Sequence, residues 1–391
     1  MVLELTAKIR LEGAHRACTP EQTLERMRPH FHAAGITRLA EITGLDRIGI
    51  CVAQCIRPDA IVLAVDSGKG ATPAAAKCSA MMEGFERHVG ETSRPRHILA
   101  TAAQLGDKAE TRLPLSKGAV FHPHALMPWT EVRGLQSGAA RMVPTDTVRL
   151  LARPDPAPLT SLPFAYTSNG LSSGNTYAEA VAGGLYECIE RDATAIAQHR
   201  LQDFPRVDLD TITDPTVARL VRTLRDADIT PVLLDVTSDI GLPTYIAYLI
   251  DCESGCGVNK GYAAHLDPAV AQARALTETI QARAVWIAGS RDDFLHARYE
   301  KVKATDSSAI LARLYKHATT SANAHPDRSG DTFEADIDTL LDLLDAAGIP
   351  EPLVYEFSHD YPCSVVRIIT PTLEGYTFDY SQPGHRARRA K

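Results

Sequence analysis

The sequence predicts an α+β fold with mixed β-sheets. Helical and strand-like segments interleave, yet two strand pairs lie close along the chain: Pro231–Val236 with Thr244–Ile250, and Leu353–Phe357 with Val365–Ile369. Both read as hairpins or neighbouring antiparallel strands, which disfavours a doubly wound parallel sheet. One helical phrase also occurs twice in full and a third time in part, so helices of related build carry acids at matching places.

In chain order, Leu3–Leu11 reads as a strand, Pro20–Ala34 as an amphipathic helix and Ile48–Ile56 as an apolar segment. A strand at Ile61–Val65, a glycine turn and a helix from Thr72 to about Gly90 follow. Residues 92–165 are proline-rich, with short strands expected at Ala119–Phe121 and Thr147–Leu151. The second copy fills 166–200, and Thr216–Asp226 reads as a helix. The third copy occupies 267–290. The polar stretch Thr319–Asp331 reads as a mobile loop, and Asp336–Ala347 as a helix ending at Gly348.

The first copy runs from Gly68-Lys69-Gly70 through Thr72-Pro73 to Ser79 and Glu83-Gly84-Phe85-Glu86-Arg87. The second runs from Ser168-Asn169-Gly170 through Gly174-Asn175-Thr176 to Glu187-Cys188-Ile189-Glu190-Arg191. Gly70 precedes Glu83 by the interval that separates Gly174 from Glu187. In the third, Pro268 precedes Glu278 as Pro73 precedes Glu83, and Arg274 takes the place of Ser79. Thr72 and Asp267 are good N-caps with proline at the first helical position. Thr176 with Glu179 forms a capping-box pattern.

On a helix Glu83 and Glu86 share one face, as do Glu187 and Glu190. Like charges so placed repel unless they are solvated or a cation sits between them. A single ExxER is an ordinary solvated face with i,i+4 pairs. Two glycine-led copies in register point instead to a divalent metal, and hard Mg²⁺ takes oxygen ligands shared with phosphates. Gly68-Lys69-Gly70, read as a turn before a helix, would let the backbone approach a phosphate while Lys69 adds a charge. The GxxxxGK[ST] spacing is absent, so the chain has no P-loop. Asn175, at the matching turn, offers its amide to a phosphate oxygen or a base.

The bulk numbers exclude several classes. A chain of 391 residues, 45% hydrophobic and 23% charged, is a globular protein with a sizeable core. A net charge of −7 argues against non-specific nucleic-acid binding. No apolar run approaches the roughly 20 residues of a membrane span, and Met1–Arg10 lacks a signal-peptide core. The expected location is the cytoplasm, so the 8 cysteines are expected to be mostly buried thiols. Cys51 with Cys55 and Cys252 with Cys256 share a CxxxC spacing, but no further ligand cluster accompanies either pair. His122 and His124 flank Pro123 and read as a loop.

The segments SGKGAT…SAMMEGFER (67–87), SNGLSSGNTYAEA…LYECIERDA (168–193) and ARALTETIQAR (273–283) resemble the YcaO proteins. The segment 16–26 and GITRLAEITGLDRIGI (35–50) add to the resemblance, which covers roughly residues 15–380. It implies a single domain over 1–391, with 1–60 part of the same fold, and ATP bound in a central cleft without a P-loop. Carried over by motif, Glu83, Glu86, Glu187 and Glu190 would ligate Mg²⁺, with Glu179 and Glu278 in the same metal and phosphate zone. Arg16, Thr23, Lys69, Ser79, Asn175, Arg191 and Arg274 would contact ATP. Arg16 stands where the family is expected to have lysine, and the two are not equivalent at a phosphate.

The resemblance further implies that the enzyme activates a peptide backbone amide. The amide oxygen attacks the γ-phosphate of ATP, ADP leaves, and the oxygen departs as phosphate. With a Cys, Ser or Thr side chain as nucleophile the product is an azoline; with external sulfide it is a thioamide. No nucleophile on the enzyme is required, so no catalytic side chain is assigned. Many azoline-forming members end in a PxPxP tail, whereas Ser381–Lys391 is basic and lacks it. Residues 384–391 are expected to be a disordered basic tail. The segments GYAAHLDPAVAQARALTE and AGSRDDF are most similar to the branch associated with TfuA partners, which is linked to thioamides. The expected partners are a ribosomally made precursor peptide and a TfuA-like or peptide-recognition protein, without nucleic acid or membrane; a homodimer is compatible with the sequence. A nucleotide-binding accessory protein for a separate modifying enzyme is the alternative outside catalysis.

Overall fold

Three strand-then-helix units organise the computed structural model, which describes residues 5–150, 163–165, 167–252, 257–293, 296–303, 305–375 and 382–388. The helices are α1 Pro20–Met27, α2 Pro73–Thr92, α3 Ala102–Leu105, α4 Tyr177–His199, α5 Pro215–Asp226, α6 Pro268–Ala288, α7 His296–Lys303, α8 Ser307–Leu314, α9 Phe333–Ala346 and α10 His385–Arg388. Strands β1 (Ile9–Leu11) and β2 (Ala14–Arg16) form a hairpin. Strands β3 (Arg38–Glu41), β4 (Cys51–Ile56) and β5 (Val65–Gly70) form an antiparallel sheet, so the N-terminal segment joins the first unit directly.

A second sheet holds β6 (Ile98–Ala100), β7 (Met127–Gly134), β15 (Leu353–Glu356), β16 (Ser364–Ile369) and β9 (Leu171–Gly174) in that order, with β8 (Ala140–Pro144) on β7. The third sheet runs β13 (Val258–Ala264), β12 (Thr244–Ile250), β11 (Thr230–Asp235), β10 (Arg206–Asp208), β14 (Thr319–Ser321). Its one parallel pairing is β10 with β14. The predicted pairs at 231–250 and 353–369 are antiparallel neighbours. The α+β class is therefore as the sequence predicts.

Apolar patterning decides these elements. Every residue of β12, TYIAYLI, is buried, because α6 covers one face while Val232, Leu234 and the α8 residue Leu314 pack with Ile246, Tyr248 and Ile250 on the other. The helix α5 keeps Val217, Leu220, Val221 and Leu224 on one buried stripe. Truncating a fully buried leucine such as Leu185 to alanine should cost about 2–5 kcal/mol.

Several expectations are corrected. The first-unit strand is Val65–Gly70, not Ile61–Val65, so Gly68-Lys69-Gly70 lies inside a strand and is no turn. The helix expected over 20–34 stops at Met27, because Pro29 removes a donor and Gly35 takes a positive φ of 68°. Ala119–Phe121 is not a strand; Thr147 ends a 3₁₀ turn, and Leu151 lies outside the described residues. The strands of that region are β7 and β8. Leu3 also lies outside the described residues, and only Ile9–Leu11 of its segment is strand.

The stretch 319–331 is anchored rather than loose. It opens with β14, and His325 Nε2 lies 2.6 Å from Asp235. The basic end is ordered over 384–388, while 389–391 lie outside the described residues. Arg386 grips both oxygens of the fully buried Asp192 on α4 at 2.8–3.0 Å, and Glu374 accepts from the backbone N–H groups of Gly384 and Ala387. Nothing in the run Arg386, Arg388, Arg389 and Lys391 signalled that the partner of Arg386 was a buried acid on a distant helix. Cys51 and Cys55 both sit in β4, four residues apart, with Cys55 wholly buried; Cys252 is exposed and Cys256 lies outside the described residues. His122 and His124 are exposed.

Candidate functional site

Each unit begins with a capped helix lying along its own strand. Thr72 accepts from the Ala75 N–H, Thr176 from Glu179 and Asp267 from Ala269 and Val270. Only half of the expected capping box forms at Thr176: Glu179 reaches one residue further back, to the N–H of Asn175. The glycines act at the strand–helix contact. A Cβ on Gly68 would lie 2.0 Å from the Ala80 nitrogen, one on Gly174 2.5 Å from Ala180 and one on Gly261 2.4 Å from Thr279. They permit close packing and do not form a phosphate cradle. Lys69, between two glycines that face α2, points to the opposite face of β5, where its Nζ meets Glu278 of α6 at 3.2 Å.

The three helices then present matching half-buried stripes: Ser79, Glu83 and Glu86 on α2; Gly183, Glu187 and Glu190 on α4; Arg274, Glu278 and Gln281 on α6. Glu83, Glu187, Glu190 and Glu278 keep between 12% and 34% of their side-chain surface, so solvent reaches all four. Arg87 lies 3.0 Å from Glu83, and Arg191 lies 3.7 Å from Glu187 and 3.4 Å from Glu190. Glu86 has no such cation among the described residues; the Ser173 hydroxyl donates to it at 3.2 Å.

Burial first, then neighbouring charges, sets the protonation of these acids. Burial, then Glu187 and Glu83, pushes Glu86 well above the usual carboxylate range. Burial also raises Glu187, against Arg191 and Arg367. Burial, joined by Glu278 and Glu187, brings Glu190 up to about 7 against Arg191. Burial pushes Glu278 up as well, but Lys69 and Arg191 outweigh it and hold it below its ordinary value.

Five carboxylates line these stripes, with no thiol or imidazole among them, an oxygen donor set suited to Mg²⁺. The group whose ligand atoms lie within 4.8 Å of one another among the described residues is His15, His265 and Asp336, all buried, and it is not a free metal site. Asp336 already accepts from Lys8 at 2.8 Å and from the Tyr186 hydroxyl at 2.9 Å. His265 Nδ1 accepts from the Asp267 N–H, which leaves the ring proton on Nε2, where a metal would have to bind.

The expected nucleotide contacts divide into two groups. Lys69, Ser79, Arg191 and Arg274 lie with the acid stripes; Arg274 stands one turn before Glu278, and burial together with Arg16 lowers its pKa. Thr23, Asn175, Glu179 and Arg16 form a second cluster. The Thr23 hydroxyl lies 2.8 Å from the Asn175 side-chain oxygen, and the amide nitrogen of Asn175 donates to Glu179 at 3.0 Å. Arg16 lies 3.8 Å from Glu179. The Glu179 carboxylate is thus engaged with Asn175 and Arg16 rather than with the acid stripes.

Sequence reasoning missed Asp66, Arg57, Arg26 and Arg367. Asp66, on β5, lies 2.8 Å from Arg87 and 3.2 Å from Arg57, and burial with Glu83 pushes it up to about 7. Arg57 also lies 3.2 Å from Glu91, so a buried chain of charges backs Glu83. Arg367, 1% exposed, donates to the carbonyls of Val148, Arg149, Thr167 and Asn169. Burial lowers it to about 10, against Glu187 and Glu86. Only Arg87, four residues after Glu83, left a signal in the spacing. The rest are brought in by β-pairing and chain crossing.

A family model described as YcaO cyclodehydratase, ATP- and Mg²⁺-binding, matches residues 67–374. The chain is 34% identical over 393 residues to an uncharacterized protein in the tfuA 3′ region of Rhizobium leguminosarum bv. trifolii, covering 95% of this chain and 92% of that one. It is 31% identical over 383 residues to a protein of Methanothermobacter thermautotrophicus, covering 95% and 98%. Among solved structures it is similar to a heterocyclase in complex with substrate and cofactor, with a TM-score of 0.80 and 26% identity over 96% of this chain. This chain spans 54% of that heterocyclase. It is similar in fold to YcaO from Methanopyrus kandleri bound with AMPPCP and Mg²⁺, with a TM-score of 0.74 and 22% identity over 94% of each chain.

Proposed function

The chain belongs to the YcaO family of ATP- and Mg²⁺-binding cyclodehydratases, and from that premise we propose that it activates a peptide backbone amide by O-phosphorylation and yields a thioamide. The observation that carries the activation step is the row of Glu83, Glu86, Glu187, Glu190 and Glu278 on three helices, bounded by Lys69. Bound Mg·ATP would supply the phosphoryl group that turns an amide oxygen into a leaving group. The chain's share is positioning and charge: the acids hold the metal, while Lys69, Arg191 and Arg274 face phosphate oxygens. Ser79, Thr23 and Asn175 are assigned to the nucleotide on the same reading. None of the described thiols is recruited; burial raises Cys55, Cys78, Cys188 and Cys363 far from a reactive thiolate.

The thioamide outcome is supported by the relative in the tfuA 3′ region. On this reading a TfuA-like protein and a ribosomally made peptide are the partners, and the cytoplasm is the location. Among the described residues no helix is long and apolar enough to cross a membrane. The likeness to a heterocyclase favours azoline formation as the second reading. Mass spectrometry of the reacted peptide separates them, with Mg·ATP, sulfide and the partner present. Replacing oxygen by sulfur adds about 16 Da, whereas azoline formation removes about 18 Da by loss of water, since phosphate carries away the same oxygen in both. A sulfide-independent water loss would overturn the thioamide reading and leave amide activation standing.

A further inference from the structure

Arg26 stands in the last turn of α1, half-buried, and no carboxylate among the described residues lies within ion-pair distance of it. Its Nη2 donates to the side-chain oxygen of Asn175, its Nη1 lies 3.9 Å from Cys18 Sγ, and its Nε is buried with no partner. The neighbouring cations differ: Lys69, Arg87 and Arg191 each sit against a glutamate of the cleft. A guanidinium with its Nε buried and unpartnered and no counter-ion beside it is costly unless an anion completes its surroundings.

Its place relative to the acids can be read from the chain. Asn175 follows Ser173, which donates to Glu86, by two residues, about 7 Å of extended backbone. Arg26 therefore stands at the Glu86 end of the acid row, while Lys69 stands at the Glu278 end.

Resting on the family reading above, we propose that Arg26 is a phosphate-binding residue, gripping the nucleotide's phosphates at the Glu86 end of the cleft opposite Lys69. Its planar fork matches a phosphate, and carboxylate-held Mg²⁺ shares its ligands with phosphate oxygens. The arm that carries it is fixed at both ends. Thr19 and Gln22 close a capping box at the start of α1, and Thr23 and Glu179 hold the Asn175 amide on which Arg26 rests.

The test is calorimetric binding of ATP, ADP and AMP, each with Mg²⁺, to wild type, Arg26→Met and Arg26→Lys. Arg26→Met keeps most of the apolar stem and should weaken ATP at least tenfold while changing AMP less than twofold. Arg26→Lys should recover part of the loss, as a point charge without the fork. A loss for ATP alone places Arg26 at the γ-phosphate; a loss for ATP and ADP places it at the β-phosphate. Equal losses for all three nucleotides, or none, would overturn the proposal while leaving nucleotide binding by the family site intact. A wild-type chain that binds no nucleotide overturns both.

Discussion

Gly68→Ala separates two roles a glycine can have beside a phosphate-type site. The added Cβ would meet the Ala80 nitrogen at 2.0 Å, the Ala76 carbonyl oxygen at 2.5 Å and the Ser79 carbonyl carbon at 2.7 Å. All three are main-chain atoms of α2, so no rotamer change relieves the clash. Strand and helix must separate by roughly an ångström, opening the cluster that holds Cys55, Ala76, Ala80, Met81 and Phe85. Overpacking typically costs 1–3 kcal/mol, and with no side chain to give way the loss here should be at least ~3 kcal/mol. The contrast is Gly44, exposed and with nothing within 4 Å of an added Cβ. Urea denaturation followed by circular dichroism reads the difference: Gly68→Ala should unfold at clearly lower urea and Gly44→Ala near wild type. If Gly68→Ala unfolds with wild type but loses Mg·ATP affinity, the glycine serves a ligand and the packing argument is wrong.

Four further outcomes are expected. Glu83→Gln and Glu187→Gln should each abolish Mg·ATP binding with the circular dichroism unchanged; retained affinity by calorimetry would remove these residues from the metal set. Lys69→Ala and Arg191→Ala should weaken ATP more than AMP, and equal losses would place them outside the phosphate contacts. Burial raises Glu190 to about 7, so below that pH it holds a proton that a metal must expel, and burial shifts Glu86 and Glu187 in the same direction. Mg·ATP affinity should therefore climb as pH rises from 6 to 8, by up to about tenfold per unit for each proton released, and a flat profile would contradict the shifts. Arg386→Ala strands the buried Asp192 and should cost about 3–5 kcal/mol, with Asp192→Asn in the same chain recovering part of it; an unchanged melting midpoint would show that the pair is inert.

The acid row was legible because it is written in helical spacing. Glu83 with Glu86 and Glu187 with Glu190 lie within single helices, and proline- and threonine-led starts fix their rotation. Lys69 was legible only as a charge near a glycine. That it crosses to Glu278 depends on β5 being a strand, which its glycines hide, since glycine is a poor strand former. The charges behind the row were not legible for a different reason. Asp66, Arg57 and Glu91 meet through pairing of β4 with β5 and the return of α2, and Arg367 arrives from the far end of the chain. Sequence spacing carries no trace of such meetings. The strands β7 and β8 were lost inside a proline-rich stretch, where Pro128 and Pro144 sit at positions that break the usual strand pattern.

The stripes on α2, α4 and α6 are near copies, but not full ones. Where α2 and α4 carry a second acid, α6 has Gln281, whose amide donates to the Ser67 carbonyl of β5 at 3.1 Å. The third unit thus gives up a charge and fastens itself to the first. A row of acids built from identical units would present the same face in either direction, and a chain of phosphates could lie along it either way round. Two doublets and a singlet, with Lys69 on the singlet, give the cleft a head and a tail. That exchange of glutamate for glutamine, with Arg274 where the other stripes have Ser79 and Gly183, makes a repeated structure directional.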